Sequence, residues 1–392
     1  MSASAAPPPA GPPRDAPAKE STPFRFYDNR QKYLAFVTTC NEKSAIARRA
    51  AHEVTLLRPT PPAMRIFDAG MGDGTVIARV MRSTHQLFPT VPMFVVAKEI
   101  SLEDVRLGLE KLPDRLFEHP ATVFVVTNLN YAEAPRLMPR DAQLAAALNW
   151  QEVRLSGSTA HEYAEQIEDL GSALASGWQT TSNPKTGNPV VVRPSVLVIY
   201  REDHKFLLDA VIPKPGRIFE YYDLVLASQP WRARMGADFK VKKVLAPLAR
   251  SLAPGGRLLA IQSFGSDPGL EIIQHLWPQE QPFQVNRHEL LGTLRRELGR
   301  EARDFNLSVP PDDKAVFRYE MHTLPSEIGN RIGTSTLFAA WNAAIYVNQI
   351  EDERLDAVVT SQAYLGATQK VLQKYGGLWF NDESFVVARR RD

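Results

Sequence analysis

Cysteine is almost missing from this chain of 392 residues: Cys40 stands alone, so neither an intrachain disulfide nor a cysteine zinc cluster can form. Nothing therefore demands an oxidising compartment. No run of about 18 apolar residues occurs, which leaves no transmembrane helix. The N-terminus lacks the charged-then-apolar layout of a secretory signal, and the expected location is cytoplasmic. A surplus of charge is missing too: 46 basic residues face 44 acidic ones, for a formal net charge of +2. That gives no support for a broad nucleic-acid or anionic-membrane surface, while leaving room for a local basic patch. The eight histidines are scattered without an H-x-x-x-H pair. Neither a P-loop nor a Gly-x-Ser-x-Gly elbow occurs, and no metal site is expected.

What is present suits a globular protein with a sizeable core: 44% hydrophobic and 23% charged residues. Residues 1–22 are Ala, Pro, Ser and Gly with few charges, which predicts a disordered tail. Order is expected from Phe24, and Tyr33, Phe36 and Val37 have helical spacing. A helix over 32–57 makes Cys40 a structural thiol. After Pro59, Pro61 and Pro62 the pattern alternates. Apolar strands are predicted over 64–69, 93–97 and 122–127, with helices over 75–88 and 102–112 between them. Strands apolar on both faces and separated by helices imply a parallel sheet covered on both sides.

Helices are predicted over 137–155 and 161–174. Turn-rich residues 182–189 and the β-prone run 190–200 mark 156–218 as an insertion or cap before the fourth strand. The alternation resumes with strands over 223–227 and 257–262 around a helix over 240–252. Further on, helices over 287–301, 335–349 and 361–375 frame a strand over 316–322, and 378–389 reads as a strand pair turning at Asn381-Asp382. The expected architecture is an α/β, Rossmann-like, doubly wound and mostly parallel sheet of about seven strands. Residues 23–392 form one such domain, with 287–375 contributing a helical substrate lid.

The sharpest local feature is Asp68-Ala-Gly70-Met-Gly72-Asp-Gly74-Thr75, which follows an apolar strand and opens a helix. Glycines there allow a sharp turn and close approach to a ligand. The spacing is G-x-G-x-G rather than G-x-G-x-x-G, and an acid stands two residues before the first glycine. A carboxylate at that point repels a pyrophosphate and suits a ligand with an ammonium and a sulfonium. The sequence Asp68-x-Gly70-x-Gly72-x-Gly74 resembles motif I of class I S-adenosylmethionine-dependent methyltransferases. The resemblance implies that the loop wraps the methionine half of that cofactor, that Glu99 at the end of the second strand binds the ribose hydroxyls, and that Asn128 after the third strand meets the adenine.

Tyr222-Asp223-Leu-Val-Leu-Ala-Ser228-Gln229-Pro230-Trp231 resembles motif IV of the same family, and 244–259 resembles the helix, turn and strand that follow it. Compared with the (Asp/Asn/Ser)-Pro-Pro-(Tyr/Phe/Trp) motif of amino-group methyltransferases, Ser228 and Trp231 match while Gln229 replaces the first proline. The resemblance makes Ser228, Gln229 and Trp231 the candidate catalytic residues, with Ser228 also at the cofactor. Tyr27, Tyr33, Trp231 and His322 are the candidate substrate contacts. Phe338, Trp341 and Tyr346 have helical spacing, which makes core packing their default role, and the 202–205 cluster reads as a helix cap. The implied function is methyl transfer to a small-molecule acceptor, nitrogen ahead of oxygen. A protein or nucleic-acid acceptor, a non-catalytic cofactor-binding role and homo-oligomerisation stay open.

Overall fold

The computed structural model describes residues 30–184, 189–217, 221–323, 325–329 and 332–391. The expected 1–22 tail and Tyr27 lie outside them. Twelve strands are formed: β1 (Met64–Asp68), β2 (Met93–Lys98), β3 (Thr122–Thr127), β4 (Asn149–Leu155), β5 (Thr180–Ser182), β6 (Pro189–Val191), β7 (Ser195–Arg201), β8 (Tyr222–Ser228), β9 (Leu252–Ser263), β10 (Phe305–Asn306), β11 (Val316–Glu320) and β12 (Trp379–Arg389). β5 and β6 make a separate two-stranded hairpin; the other ten form one sheet in the order β10-β12-β9-β8-β1-β2-β3-β7-β4, with β11 also on β12. The expectation of about seven strands is therefore low by three.

β3-β2-β1-β8-β9 run parallel, and their order is that of a doubly wound fold, reversing direction between β1 and β8. Their alternate residues feed two separate cores. Phe67, Phe94, Val123 and Val225 pack on one face, with Val241, Leu245 and Leu290. Ile66, Val95, Phe124 and Leu224 pack on the other, with Ile46, Val76 and Val105. That arrangement explains why these strands read as unbroken apolar runs.

Four helices matter for the cleft: α1 (Arg30–Thr39), α2 (Glu42–Val54), α3 (Thr75–Leu87) and α4 (Leu102–Leu109). The helix expected over 32–57 is broken at Cys40–Asn41, where Cys40 bridges to Met321 outside the main sheet. The Cys40 thiol is buried, and burial pushes it up to about 12, in keeping with a structural role. At Gly74, φ is +77°, and a Cβ built there would lie 2.6 Å from Gly108 Cα. α3 and α4 therefore meet backbone to backbone, which only glycine permits.

Three segments depart from expectation. Residues 137–155 hold a short helix, Ala142–Ala146, and then edge strand β4. β4 pairs in parallel with β7 on one side only. The 156–218 insertion does not cap the cleft: β7 lies antiparallel to β3 and extends the sheet at that edge. Finally, β12 is one continuous strand rather than a pair turning at Asn381-Asp382, because β9 on one side and β10 and β11 on the other supply its partners.

The 287–375 segment divides in two. Its first helix, Arg287–Leu298, packs Leu290, Leu291 and Leu294 onto the sheet core rather than over the cleft. Arg287, itself buried, bridges Glu383 on β12 and Asp312. The later helix, Thr334–Val347, packs instead with α1 around Phe36, Trp341 and Tyr364.

Candidate functional site

Ligands of doubly wound sheets lie outside the carboxyl ends of the strands, where the strand order reverses. Here β1 ends at Asp68, β2 at Lys98 just before Glu99, and β8 at Ser228. A cavity of 1280 Å³ opens over those ends. It is lined by Gly70, Gly72, Glu99, Ser228, Gln229 and Trp231, and a 40 Å³ side cavity between Asp68 and Ser228 continues it inward.

The glycine loop carries carboxylates on its own amides. The Gly70 N–H donates to Asp68 Oδ1 at 3.1 Å, the Gly72 N–H to Glu99 Oε2 at 2.9 Å, and the Thr75 N–H to Asp73 Oδ1 at 3.2 Å. Glu99 Oε1 also accepts from the Ile100 and Ser101 N–H groups, at 2.7 and 2.9 Å. Burial pushes the Asp68 carboxyl up to about 6; the Gly70 bond opposes that shift and neighbouring Glu99 adds to it. Asp104, on α4, is likewise pushed up to about 6 by burial and by Glu99. Among the described residues its Oδ1 is buried without a well-formed hydrogen bond, as is Tyr33 Oη, and both residues line the cavity.

Tyr33 reaches the loop from α1: its Oη lies 3.1 Å from where a Cβ on Gly72 would stand. The Tyr33 ring packs 5.9 Å from Tyr346, which also lines the cavity. Tyr346 is thus the part of the C-terminal helices that reaches the cleft, whereas Trp341 packs on Trp277 and Tyr364. Lys43, at the start of α2, holds its Nζ 5.5 Å over the Tyr33 ring. Burial works against the Lys43 charge, but Tyr33, Glu42 and Asp73 hold its pKa well above the ordinary lysine value.

At the end of β8 the candidate catalytic residues part ways. The Ser228 hydroxyl makes no hydrogen bond among the described residues and borders both cavities. Gln229 has φ +49°, an uncommon conformation for a side-chain-bearing residue. Its side chain turns from the cleft: Nε2 donates to Asp382 Oδ1 at 3.1 Å, and Oε1 accepts from the Ser263 N–H at 3.2 Å. Trp231 is 6% exposed and lines the cavity, with its Nε1 donating to Gln262 Oε1 at 2.8 Å. Gln262 Nε2 in turn donates to Glu383, so β9 and β12 fix the indole.

Two expected site residues are not brought to the cleft. The Asn128 side chain is buried and committed elsewhere: Nδ2 donates to the Gly177 and Arg193 carbonyls, each at 3.0 Å, and Oδ1 accepts from the Ser195 N–H at 2.8 Å. It joins the insertion to β3 instead of facing an adenine. His322 is exposed beside the Cys40–Met321 bridge, its backbone N–H donating to Thr39 O at 2.7 Å. Nor does the 202–205 cluster reach the site; Asp203 pairs with Arg201 and His204 locally.

Other residues enter that were not expected. Tyr131 Oη donates to Pro230 O at 2.9 Å, binding the loop after β3 to the loop after β8. Lys98 Nζ lies 4.7 Å over the Tyr131 ring, its pKa lowered by burial. Beyond Trp231 the wall comes from a helical run whose Val241–Leu245 turn is π-helical, an irregularity frequent at functional sites. No local pattern announces these residues, because each comes from a different loop. Among the described residues no group of His, Cys, Asp and Glu is placed to hold a metal ion, and no helix is long and apolar enough to cross a membrane.

No protein-family model and no curated relative matches the chain. Solved structures do. A geranyl diphosphate methyltransferase in complex with SAM is 12% identical over 88% of this chain and 85% of that one, with a TM-score of 0.32. A putative sarcosine dimethylglycine methyltransferase from Galdieria sulphuraria is 10% identical over 89% and 85%, with a TM-score of 0.31. A SAM dependent methyltransferase from Archaeoglobus fulgidus is 9% identical over 93% and 99%, with a TM-score of 0.30. Scores of this size leave the chemistry to the residues of the cleft itself.

Proposed function

We propose that this chain is an S-adenosylmethionine-dependent methyltransferase acting on a small-molecule acceptor. The observation that carries the proposal is the state of the glycine-loop amides. A helix N-terminus with free N–H groups is an anion cradle. Here the Gly70, Gly72 and Thr75 amides already donate to Asp68, Glu99 and Asp73. An acid-rimmed loop of this kind disfavours a pyrophosphate and suits a ligand with ammonium and sulfonium groups.

The residues present fit that cofactor. Asp68 supplies a buried carboxylate for the amino-acid portion, while Gly70 leaves open space over the loop. Glu99 keeps one acceptor site, on Oε2, beyond its three amide bonds for a ribose hydroxyl. Tyr33 Oη and Asp104 Oδ1 are further polar groups able to bind a ligand. When bound, the cofactor supplies a methyl group activated on sulfonium sulfur.

The protein's part is to align the acceptor's nucleophilic atom and receive any proton it sheds. Ser228 is the polar side chain of the motif that borders the cleft, and Trp231 is the aromatic wall beside it. With Gln229 committed to Asp382 and Ser263, its side-chain carbonyl drops out as a substrate contact. A nitrogen acceptor is favoured over oxygen because a free-base amine needs no proton removed before attack, and among the described residues no histidine lines the cavity to remove one.

The test is calorimetric binding of S-adenosylmethionine and S-adenosylhomocysteine to the full chain, followed by methyl transfer into a metabolite extract. Binding that Asp68→Ala weakens, with turnover on small amines, is the expected result. No binding at saturating ligand, with Asp68→Ala behaving identically, sinks the cofactor assignment. Turnover on a polymer alone, or binding without turnover, replaces the small-molecule proposal with a macromolecular acceptor or a regulatory role.

A further inference from the structure

Three of the cleft's acids, Glu99, Glu103 and Asp104, line it beside α4, where Arg30, Lys43 and Lys98 line it too. Another stretch of the lining is more strongly basic. Arg136 and Arg140 come from the segment after β3, and Arg232, Lys242 and Lys243 from the segment after β8. The Tyr131–Pro230 hydrogen bond draws those two segments together over one cavity.

Three features mark this wall as more than a solvated face. First, the chain's formal net charge is only +2, so five cations on one wall are a local concentration. The side chains of Arg140, Lys242 and Lys243 make no ion pair among the described residues. Glu133 is the carboxylate lining this end, and it is engaged by the Arg140 N–H at 2.9 Å and by Asn130 Nδ2 at 2.5 Å. Second, the π-helical turn buries Val241, Val244 and Leu245 while leaving Lys242 and Lys243 exposed on the cavity wall. Third, the cations surround apolar surface: Phe239, 46% exposed, lines the same wall as Trp231 and Met235.

We infer that this wall is the acceptor subsite and that it takes a small amphiphile carrying a phosphate-type anionic group on an apolar or aromatic body. The inference rests on the methyl-transfer proposal for what the bound molecule is used for. The cations hold the anionic group by charge-assisted hydrogen bonds, and Phe239 and Trp231 cover the apolar part. At 1280 Å³ the cavity exceeds the roughly 300–1,000 Å³ typical of one small ligand, leaving space for a second molecule beside a cofactor.

The test compares naphthyl phosphate with naphthol, titrated into the full chain with and without saturating S-adenosylhomocysteine. The phosphate is expected to bind at least about tenfold more tightly than the alcohol. That advantage should shrink between about 50 mM and about 300 mM salt. In Lys242→Ala/Lys243→Ala most of it should vanish, while S-adenosylhomocysteine affinity stays within about twofold. Both positions are exposed, and an unchanged melting temperature checks that the variant is folded. Equal affinity for the two probes, or a phosphate preference that survives the double substitution, overturns the subsite. So does a short oligothymidylate that binds more tightly than naphthyl phosphate, which points to a polymer. If the phosphate preference holds while S-adenosylhomocysteine fails to bind, the anion subsite stands and the methyl-transfer proposal falls.

Discussion

Gly72 donates its backbone N–H to the Glu99 carboxylate at 2.9 Å, so a charge at the end of β2 fastens the loop that opens α3. The same carboxylate accepts from Ile100 and Ser101. One side chain thus shapes the glycine loop and ends the second strand. Glu99→Ala leaves three N–H groups without their acceptor. Hydrogen bonds to charged groups are worth about 1.5–3 kcal/mol each, with water replacing part of the loss. The expected cost is about 2 kcal/mol of stability and at least about tenfold in S-adenosylhomocysteine affinity, with Glu99→Gln intermediate. Urea denaturation and calorimetry measure the two; an unchanged affinity counts against the cofactor assignment.

Asp68 gives the cleft a pH dependence. Its carboxyl is pushed up to about 6 by burial, so in the free protein it gains a proton as pH falls through that value. A protonated Asp68 no longer attracts an ammonium group. S-adenosylhomocysteine affinity should therefore rise from pH 5 toward pH 7 and then level, with most of the change near pH 6. Asp104, also pushed up to about 6, titrates in the same window. The diagnostic is Asp68→Asn, which should flatten most of the profile; an equally steep profile in that variant assigns the effect to another group.

The two loop glycines should fail differently. A Cβ on Gly74 meets Gly108 Cα at 2.6 Å, and φ there is +77°. Gly74→Ala should cost more than about 2 kcal/mol, because backbone cannot yield as a side chain can. At Gly72 the near neighbour is Tyr33 Oη at 3.1 Å, which is able to swing aside. Gly72→Val should lose about 1–2 kcal/mol to the left-handed backbone while abolishing cofactor binding. Denaturation midpoints beside binding curves separate the two; comparable stability losses contradict the packing described for α3 and α4.

Asp382 offers a test of the layer behind the motif. It is fully buried, its Oδ2 has no partner, and burial together with Glu42 and Asp267 raises its pKa well above the ordinary carboxyl value. A carboxyl whose folded pKa is raised contributes stability below its unfolded pKa and loses it as pH rises through the folded one. Asn at this position keeps an acceptor for Gln229 without that penalty. Asp382→Asn should match or exceed the wild-type melting temperature at pH 8, with the advantage shrinking toward pH 5. An advantage that grows as the solution is acidified would show the carboxylate to be stabilising.

Much of the glycine-loop end of the cleft was legible in the chain because it is built from contiguous pieces. An apolar strand, a glycine turn and a helix are local statements, and Asp68, the glycines and Glu99 follow one another within about one strand–helix–strand unit. Tyr33, a candidate substrate contact from its position just ahead of the first strand, lines the cavity beside the glycine loop. The errors share a cause. Asn128 was assigned to the cofactor by its place after β3, but its neighbours Gly177, Arg193 and Ser195 come from a distant insertion. Gln229 is a candidate catalytic residue by its place in the motif, yet Asp382, 153 residues away, takes its amide. Residues 378–389 looked like a hairpin because Asn381-Asp382 is turn-prone, and pairing to β9 and β11 kept the strand extended.

The sequence by itself determined the parallel core and the acid-rimmed glycine loop, since residue period and local turn chemistry suffice for both. Only the tertiary structure decided what lines the rest of the cleft. Net charge, averaged over the chain, conceals a basic wall assembled from two loops, and Tyr131 and the π-helical turn draw those cations together. Side chains from separate segments share a cavity through packing, and packing leaves no mark at a fixed spacing along the chain.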